Sequence, residues 1–264
     1  MKTGMILRGM VAVLVLSAGQ GPVNAVDAGQ AADKDAQPPP AQQQAPDKPG
    51  KPGKPMVTTS KPERGTPVYV PPMRGAPVAR VGGGTRGIGD ELPYVSVVTP
   101  EDTAYTSSPQ PVLYWYLSEP VDTRFEFALI NDNEVEPILE ITSDREMHEG
   151  LNFLDLAEHG VSLKPGVVYR WSVALVEQPD KRSSDIVSSG TIELVELTGA
   201  QRAALAQADS AESVVIFARE GYWYDAFAGL SRLIDADPAN HRLLEQRTAL
   251  LRQVGLDEVA DAGK

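Results

Sequence analysis

The chain of 264 residues has no cysteine, three histidines and few aromatic side chains, 6% in all. Without cysteine there is no disulfide staple, no thiolate zinc site and no cysteine nucleophile. His148, His159 and His241 lie too far apart for metal-ligand spacing, and no His-Glu-x-x-His occurs, so they read as surface or internally satisfied imidazoles. A serine nucleophile would need a strained elbow such as Gly-x-Ser-x-Gly, or a Ser-x-x-Lys, and both are missing. Asp144, Glu146 and Glu149, or Asp132 and Glu134, do not follow the spacing of a calcium loop. No run approaches the roughly 20 apolar residues of a membrane-spanning helix. Basic residues are scarce where they would matter for nucleic acid: residues 92–197 hold 6 basic against 19 acidic side chains, a balance of 6 − 19 = −13. That surface repels phosphate backbones and anionic lipid headgroups. The expectation is therefore no catalytic set, no metal, no cofactor and no nucleic-acid partner.

What is present begins with an export signal. Lys2 and Arg8 precede the apolar run Met10–Leu16, and Val23-Asn-Ala25 offers small residues for cleavage, so residues 1–25 read as a signal peptide with no transmembrane segment after its removal. Residues 26–91 carry Pro38-Pro-Pro40 and Lys48-Pro-Gly-Lys-Pro-Gly-Lys-Pro55. Such a composition favours solvated polyproline II and reads as a disordered Pro/Gly/Lys-rich linker. Its cations (Lys48, Lys51, Lys54, Lys61, Arg64, Arg74, Arg80 and Arg86) suit an anionic wall polymer. The run Gly82-Gly-Gly84-Thr-Arg-Gly87 satisfies G-x-G-x-x-G in letters only, because no buried strand precedes it and no helix follows.

Residues 92–197 contain seven short β-rich runs separated by turn residues: 94–98, 112–117, 125–130, 137–142, 151–156, 167–176 and 186–197. Asp132-Asn133 marks a turn, and Gly190 reads as a bulge. The clearest segment is Leu163 to Val176. Pro165-Gly166 makes a tight turn, and alternation from Val167 puts Tyr169, Trp171, Val173 and Leu175 on one face. Tyr169 matches a tyrosine corner, its ring inward and its hydroxyl on a backbone group just upstream. In Leu113–Leu117 the same alternation separates Trp115 from Tyr114 and Tyr116, so Trp115 joins Trp171 in the core while the two tyrosines face out. This pattern predicts an antiparallel β-sandwich of immunoglobulin or fibronectin kind.

Residues 198–264 change to helical period. Thr198 is placed to cap a first helix, and a third runs from His241 to about Val254. Between them, Gly221-Tyr-Trp-Tyr-Asp-Ala226 with Leu230, Leu233 and Pro238 is similar to the second half of a tetratricopeptide repeat. There Gly221 permits close helix approach, Ala226 sits at the crossing and Pro238 opens the next turn. The first half departs from the pattern, with Ser213 and Val214 where Leu and Gly belong. The fold class expected is all-β plus α: disordered linker, sandwich, then a small degenerate helical hairpin domain.

Several blocks together resemble the bacterial domain-of-unknown-function family numbered 928. They are Gly82–Gly87, Val98-Thr-Pro-Glu101, Ser108–Tyr116, Phe125-Glu-Phe127, Leu163–Trp171, Asp180–Asp185 with Gly190-Thr-Ile-Glu193, and Gly221–Ala226. The resemblance spans roughly residues 80–256 and implies no activity, since none is assigned to that family.

On these grounds the chain reads as an exported, periplasmic or extracellular, non-catalytic binding or scaffold protein that meets other envelope proteins. Tyr114, Tyr116, Trp223 and Tyr224 are its candidate contact residues, by stacking or anchoring. For the two tyrosines the competing and favoured reading is cross-strand packing with Phe125 and Phe127 or cover from the helical hairpin, and for Trp223 and Tyr224 the alternative is the hairpin core. The alternative is an envelope polysaccharide-binding module using the two tyrosines and the basic linker. A hydrolase built on two carboxylates is the third reading.

Overall fold

The structure, a computed structural model, describes residues 65–72, 93–131 and 133–262. The segment read as an export signal, most of the segment read as a linker, the glycine run at 82–87 and Asp132 lie outside the described residues. Eight strands form two sheets. β1 (Val95–Val97), β3 (Val112–Leu117) and β6 (Gly150–Asp155) make a three-stranded antiparallel sheet in the order β1-β3-β6. β2 (Ala104–Thr106), β4 (Arg124–Asn131), β5 (Leu139–Ser143), β7 (Val168–Val176) and β8 (Ile186–Leu194) make a five-stranded sheet in the order β2-β8-β7-β4-β5. Helices follow: α1 (Gly199–Gln207), α2 (Ser210–Arg219), α3 (Trp223–Ala236), α4 (His241–Gln253) and α5 (Asp257–Ala262).

The turn before β7 forms as its residues dictate. Pro165 presets its own φ, Gly166 adopts φ 72°, and Val167 N–H closes the turn on the Lys164 carbonyl at 3.3 Å. Tyr169 is buried, and its hydroxyl accepts from Lys164 N–H at 3.1 Å. Every second side chain beyond it (Trp171, Val173, Leu175) is buried too. Trp115 stacks on Phe125 across the two sheets, ring centres 5.1 Å apart, so both indoles of the sheet region lie in one interior. A polar tie crosses as well, Val97 N–H donating to Ser188 Oγ at 3.0 Å.

Four expectations are corrected. The seven runs all appear as strands, but an eighth, β2, joins the edge of the larger sheet parallel to β8, so that sheet is not wholly antiparallel. Gly190 is no bulge: β7 and β8 pair without a break, Trp171 opposite Gly190 and Ser172 opposite Ser189. Its lack of a side chain serves packing, since a Cβ there would overlap the buried Thr99 Cγ2. Residues 92–197 and 198–262, read as a sandwich and a helical domain, also share one hydrophobic core, for α3 packs Trp223 and Tyr224 against Val98, Trp171 and Thr191 and lays Phe227 on Tyr114.

The fourth correction concerns the linker. Residues 65–72, inside the stretch read as disordered, lie extended across the helices. Tyr69 N–H donates to Gln253 Oε1 at 2.8 Å, Gln253 Nε2–H donates to the Pro67 carbonyl at 3.0 Å, and Val70 N–H donates to the Ala218 carbonyl at 3.1 Å. The buried Tyr69 ring meets Trp223 edge-on at 5.2 Å. Burying that ring offsets the ordering cost that a proline-rich strand alone could not meet.

Capping sets the helix starts. Thr198 and Gln201 form a capping box on α1, Asp209 accepts from two backbone N–H groups of α2, and Asn240 caps α4. Gly221, at φ 84°, turns the chain between α2 and α3 and lies against Val70 and Pro72. Ala226 is fully buried on α3, and Pro238 follows the end of that helix in the turn to α4. Opposite Val214 of α2 stands Gly229 of α3, whose Cβ would come within 3.1 Å of the valine. The small residue at the helix crossing sits on the second helix, which explains how Val214 is tolerated on the first.

Candidate functional site

The Gly221–Ala226 block builds the seam between helices and sheets. Two consecutive aromatic residues on a helix point about 100° apart, and here they reach different targets. Trp223 Nε1–H donates to the Val98 carbonyl at 2.9 Å. The Tyr224 hydroxyl donates to the Thr191 carbonyl at 3.0 Å and accepts from Trp171 Nε1–H at 2.9 Å. Its one proton being committed to Thr191, Tyr224 accepts from Thr99 Oγ1, also at 2.9 Å. Burial holds this phenol well above its ordinary range, the bonds to Thr99 and Trp171 working the other way. Asp225, in the first turn of α3, accepts from Ser107 N–H at 2.9 Å and from Ser107 Oγ–H at 2.5 Å. Burial pushes its carboxyl up, opposed by the hydrogen bonds from Ser107 and Thr106.

Trp223 and Tyr224, candidates for contact with a partner, are thus spent inside the chain. Tyr114 is half-covered as well. Its ring packs edge-on to Phe227 of α3 at 5.1 Å and tilts against Phe153 of β6 at 5.9 Å. The sequence reading of its face was right, but the helices form a third layer over that face. The rings of Tyr69, Trp223, Phe227, Tyr114 and Phe153 make a continuous run from the extended segment to the sheet margin. Its last member, Phe153, is 62% exposed.

Tyr116 stands apart from Tyr114. It lines a cavity of about 230 Å³ between the three-stranded sheet and the C-terminal helices, shared with Leu151, Arg247, Thr248, Leu251 and Val259. Burial, then the nearby Glu149, raises the Tyr116 phenol, and burial lowers the Arg247 guanidinium, with Asp235 opposing. A second hollow, about 420 Å³, lies between α2 and α3 beside Ser213, Phe217, Asp225, Arg232 and Leu233. Arg232 faces that hollow with Asp225, and among the described residues no second acid lines it.

The remaining candidates lie on the surface. His148, His159 and His241 are exposed, as are Glu134, Glu146 and Glu149. Asp144 accepts from Arg124 Nε–H at 2.8 Å. Among the described residues no three His, Asp or Glu side chains gather in a way that could hold a metal ion, and no helix is long and apolar enough to cross a membrane.

The family of unknown function named DUF928 matches residues 81–263, well over half of the chain. The chain belongs to DUF928. No curated protein matches it. In this DUF928 chain four of the blocks quoted for the resemblance meet in space. Val98 and Thr99, Trp171, Thr191 and Tyr224 meet in the seam. Arg247 and Phe153 were not singled out from sequence, because an arginine in a charged helix and a lone phenylalanine in an edge strand carry no pattern of their own.

Proposed function

We propose that this DUF928 chain is an exported, non-catalytic binding protein of the cell envelope that acts through protein–protein contacts. The observation that carries the reading is Phe153, a large apolar ring left mostly in water at the edge of the three-stranded sheet. Behind it the run of rings is anchored by Tyr114 and Phe227, which makes it a preorganised contact rather than a loose side chain. The outer edge of β6 offers backbone groups to a partner strand beside it. In fold terms we read the sheets as an immunoglobulin- or fibronectin-like sandwich, supported by the Tyr169 corner. We read α2 and α3 as one degenerate tetratricopeptide-like hairpin, supported by Gly221, Ala226 and Pro238. The test is a photo-crosslinker at Asp155, two residues from Phe153, in the native host. A reproducible protein neighbour that disappears in Phe153→Ser is expected. The absence of any neighbour, or one indifferent to Phe153→Ser, refutes the reading.

A further inference from the structure

We infer that the cavity beside Tyr116 is a binding site for a small carboxylate, gripped by the guanidinium of Arg247. Arg247 is half-buried and makes no ion pair or hydrogen bond with any described residue. Three other arginines of this acidic chain do find carboxylates: Arg124 with Asp144, Arg182 with Glu126, Arg252 with Asp261. Asp235 acts on Arg247 through space without forming such a pair. A cation taken out of water and left unpaired is costly, and an anion arriving beside it relieves that cost. The guanidinium fork fits a carboxylate with two parallel hydrogen bonds. Tyr116 and Thr248, which line the cavity from the sheet and from α4, carry hydroxyl groups able to add donors.

The rest of the lining narrows the ligand. Leu151, Leu251, Val259 and Ala260 are apolar, so the acid must carry a short apolar tail. A volume of about 230 Å³ is roughly the share of eight waters and falls below the roughly 300 Å³ at which drug-sized pockets begin. Asp235 and Glu149, acting on Arg247 and Tyr116, weigh against a dianion such as phosphate and favour a single negative charge. A free short-chain acid and the C-terminal carboxylate of a peptide ending in a small apolar residue share this chemistry. The site stands whether or not the Phe153 surface binds protein, and its test makes no use of that surface.

The experiment is calorimetric titration of the full chain with hexanoate and hexanamide, and with Gly-Gly-Leu bearing a free or an amidated C-terminus. At least one acid is expected to bind saturably and about tenfold or more tighter than its neutral amide. Arg247→Gln is expected to remove that preference, and Arg247→Lys to keep part of it. Binding by hexanoate alone assigns the site to free acids, and binding by the peptide alone to a chain terminus. Acids that bind no tighter than their amides, or show no saturation up to roughly 10 mM, overturn the inference even if Arg247→Gln fails to fold. So does a folded Arg247→Gln that binds like the parent.

Discussion

Tyr224→Phe and Tyr69→Phe delete the same atom from two buried rings, and the structure demands effects of opposite sign. At Tyr224 the hydroxyl serves Trp171 Nε1–H, Thr99 Oγ1 and the Thr191 carbonyl. Removing it strands a buried indole N–H, at about 1–3 kcal/mol, and forfeits two further bonds worth about 1 kcal/mol each. Because the ring itself remains, no cavity cost adds to this, and a loss of about 3 kcal/mol is expected. At about 2–4 °C per kcal/mol for a body of this size, the melting temperature falls by about 6–12 °C. The Tyr69 hydroxyl is buried without a hydrogen-bond partner among the described residues. Phenylalanine there removes an unmet desolvation penalty, and stability should rise by about 1 kcal/mol. Thermal and urea unfolding of the full chain, followed by tryptophan fluorescence, reads both, because Trp115, Trp171 and Trp223 are all buried. If the two variants shift stability in the same direction, or Tyr224→Phe costs less than about 0.5 kcal/mol, the account of the seam is wrong.

Gly190→Ala should cost about 2–3 kcal/mol through overlap with Thr99 Cγ2. Adding Thr99→Ser, which removes that methyl and keeps the hydroxyl, should restore most of the loss, and denaturation curves without such rescue would contradict the packing argument. Gln253→Ala deletes both side-chain bonds to residues 67 and 69, so amide exchange at Tyr69 should quicken by a factor matching about 1–2 kcal/mol while β7 amides stay protected; unchanged exchange at Tyr69 would count against the docked segment. Burial raises the phenols of Tyr69, Tyr114, Tyr116, Tyr222 and Tyr224 above the ordinary 10.0. With folded values above unfolded ones, their contribution is complete below pH 10 and is lost as pH rises beyond it, because the unfolded chain releases its protons first. Unfolding free energies measured from about pH 8 to about pH 12 should therefore decline past that point, and a flat profile would refute the burial of these phenols.

The parts that could be read from the sequence are those governed by neighbours in the chain. Pro165-Gly166 and the alternation from Val167 to Leu175 sufficed for a turn, a corner and a buried strand, and Thr198 for a helix start. β2 escaped because three residues cannot display a period, and its partner β8 lies far along the chain. The role of Gly190 depends on Thr99, which no local pattern connects to it. Alternation assigned Tyr114 to the right face, yet whether that face is wet depends on a third layer supplied by α3. Residues 65–72 did carry a cue: Val68-Tyr-Val70 is an apolar triplet in a stretch otherwise unable to build a core. The Arg247 cavity had no cue at all, since it exists only once α4 lies over β3 and β6.

The hydrogen bond between Tyr69 and Gln253 joins residues 184 positions apart. In a polypeptide threaded amino end first, whether from a ribosome or through a translocation pore, Tyr69 emerges long before its berth has been made. The sheets and the α2–α3 turn must assemble while that aromatic residue waits in solvent, and the last long helix to arrive completes its seat. Fastening the leading segment is therefore a late event, and a product stopped short of α4 would be recognisable by its unclasped front end.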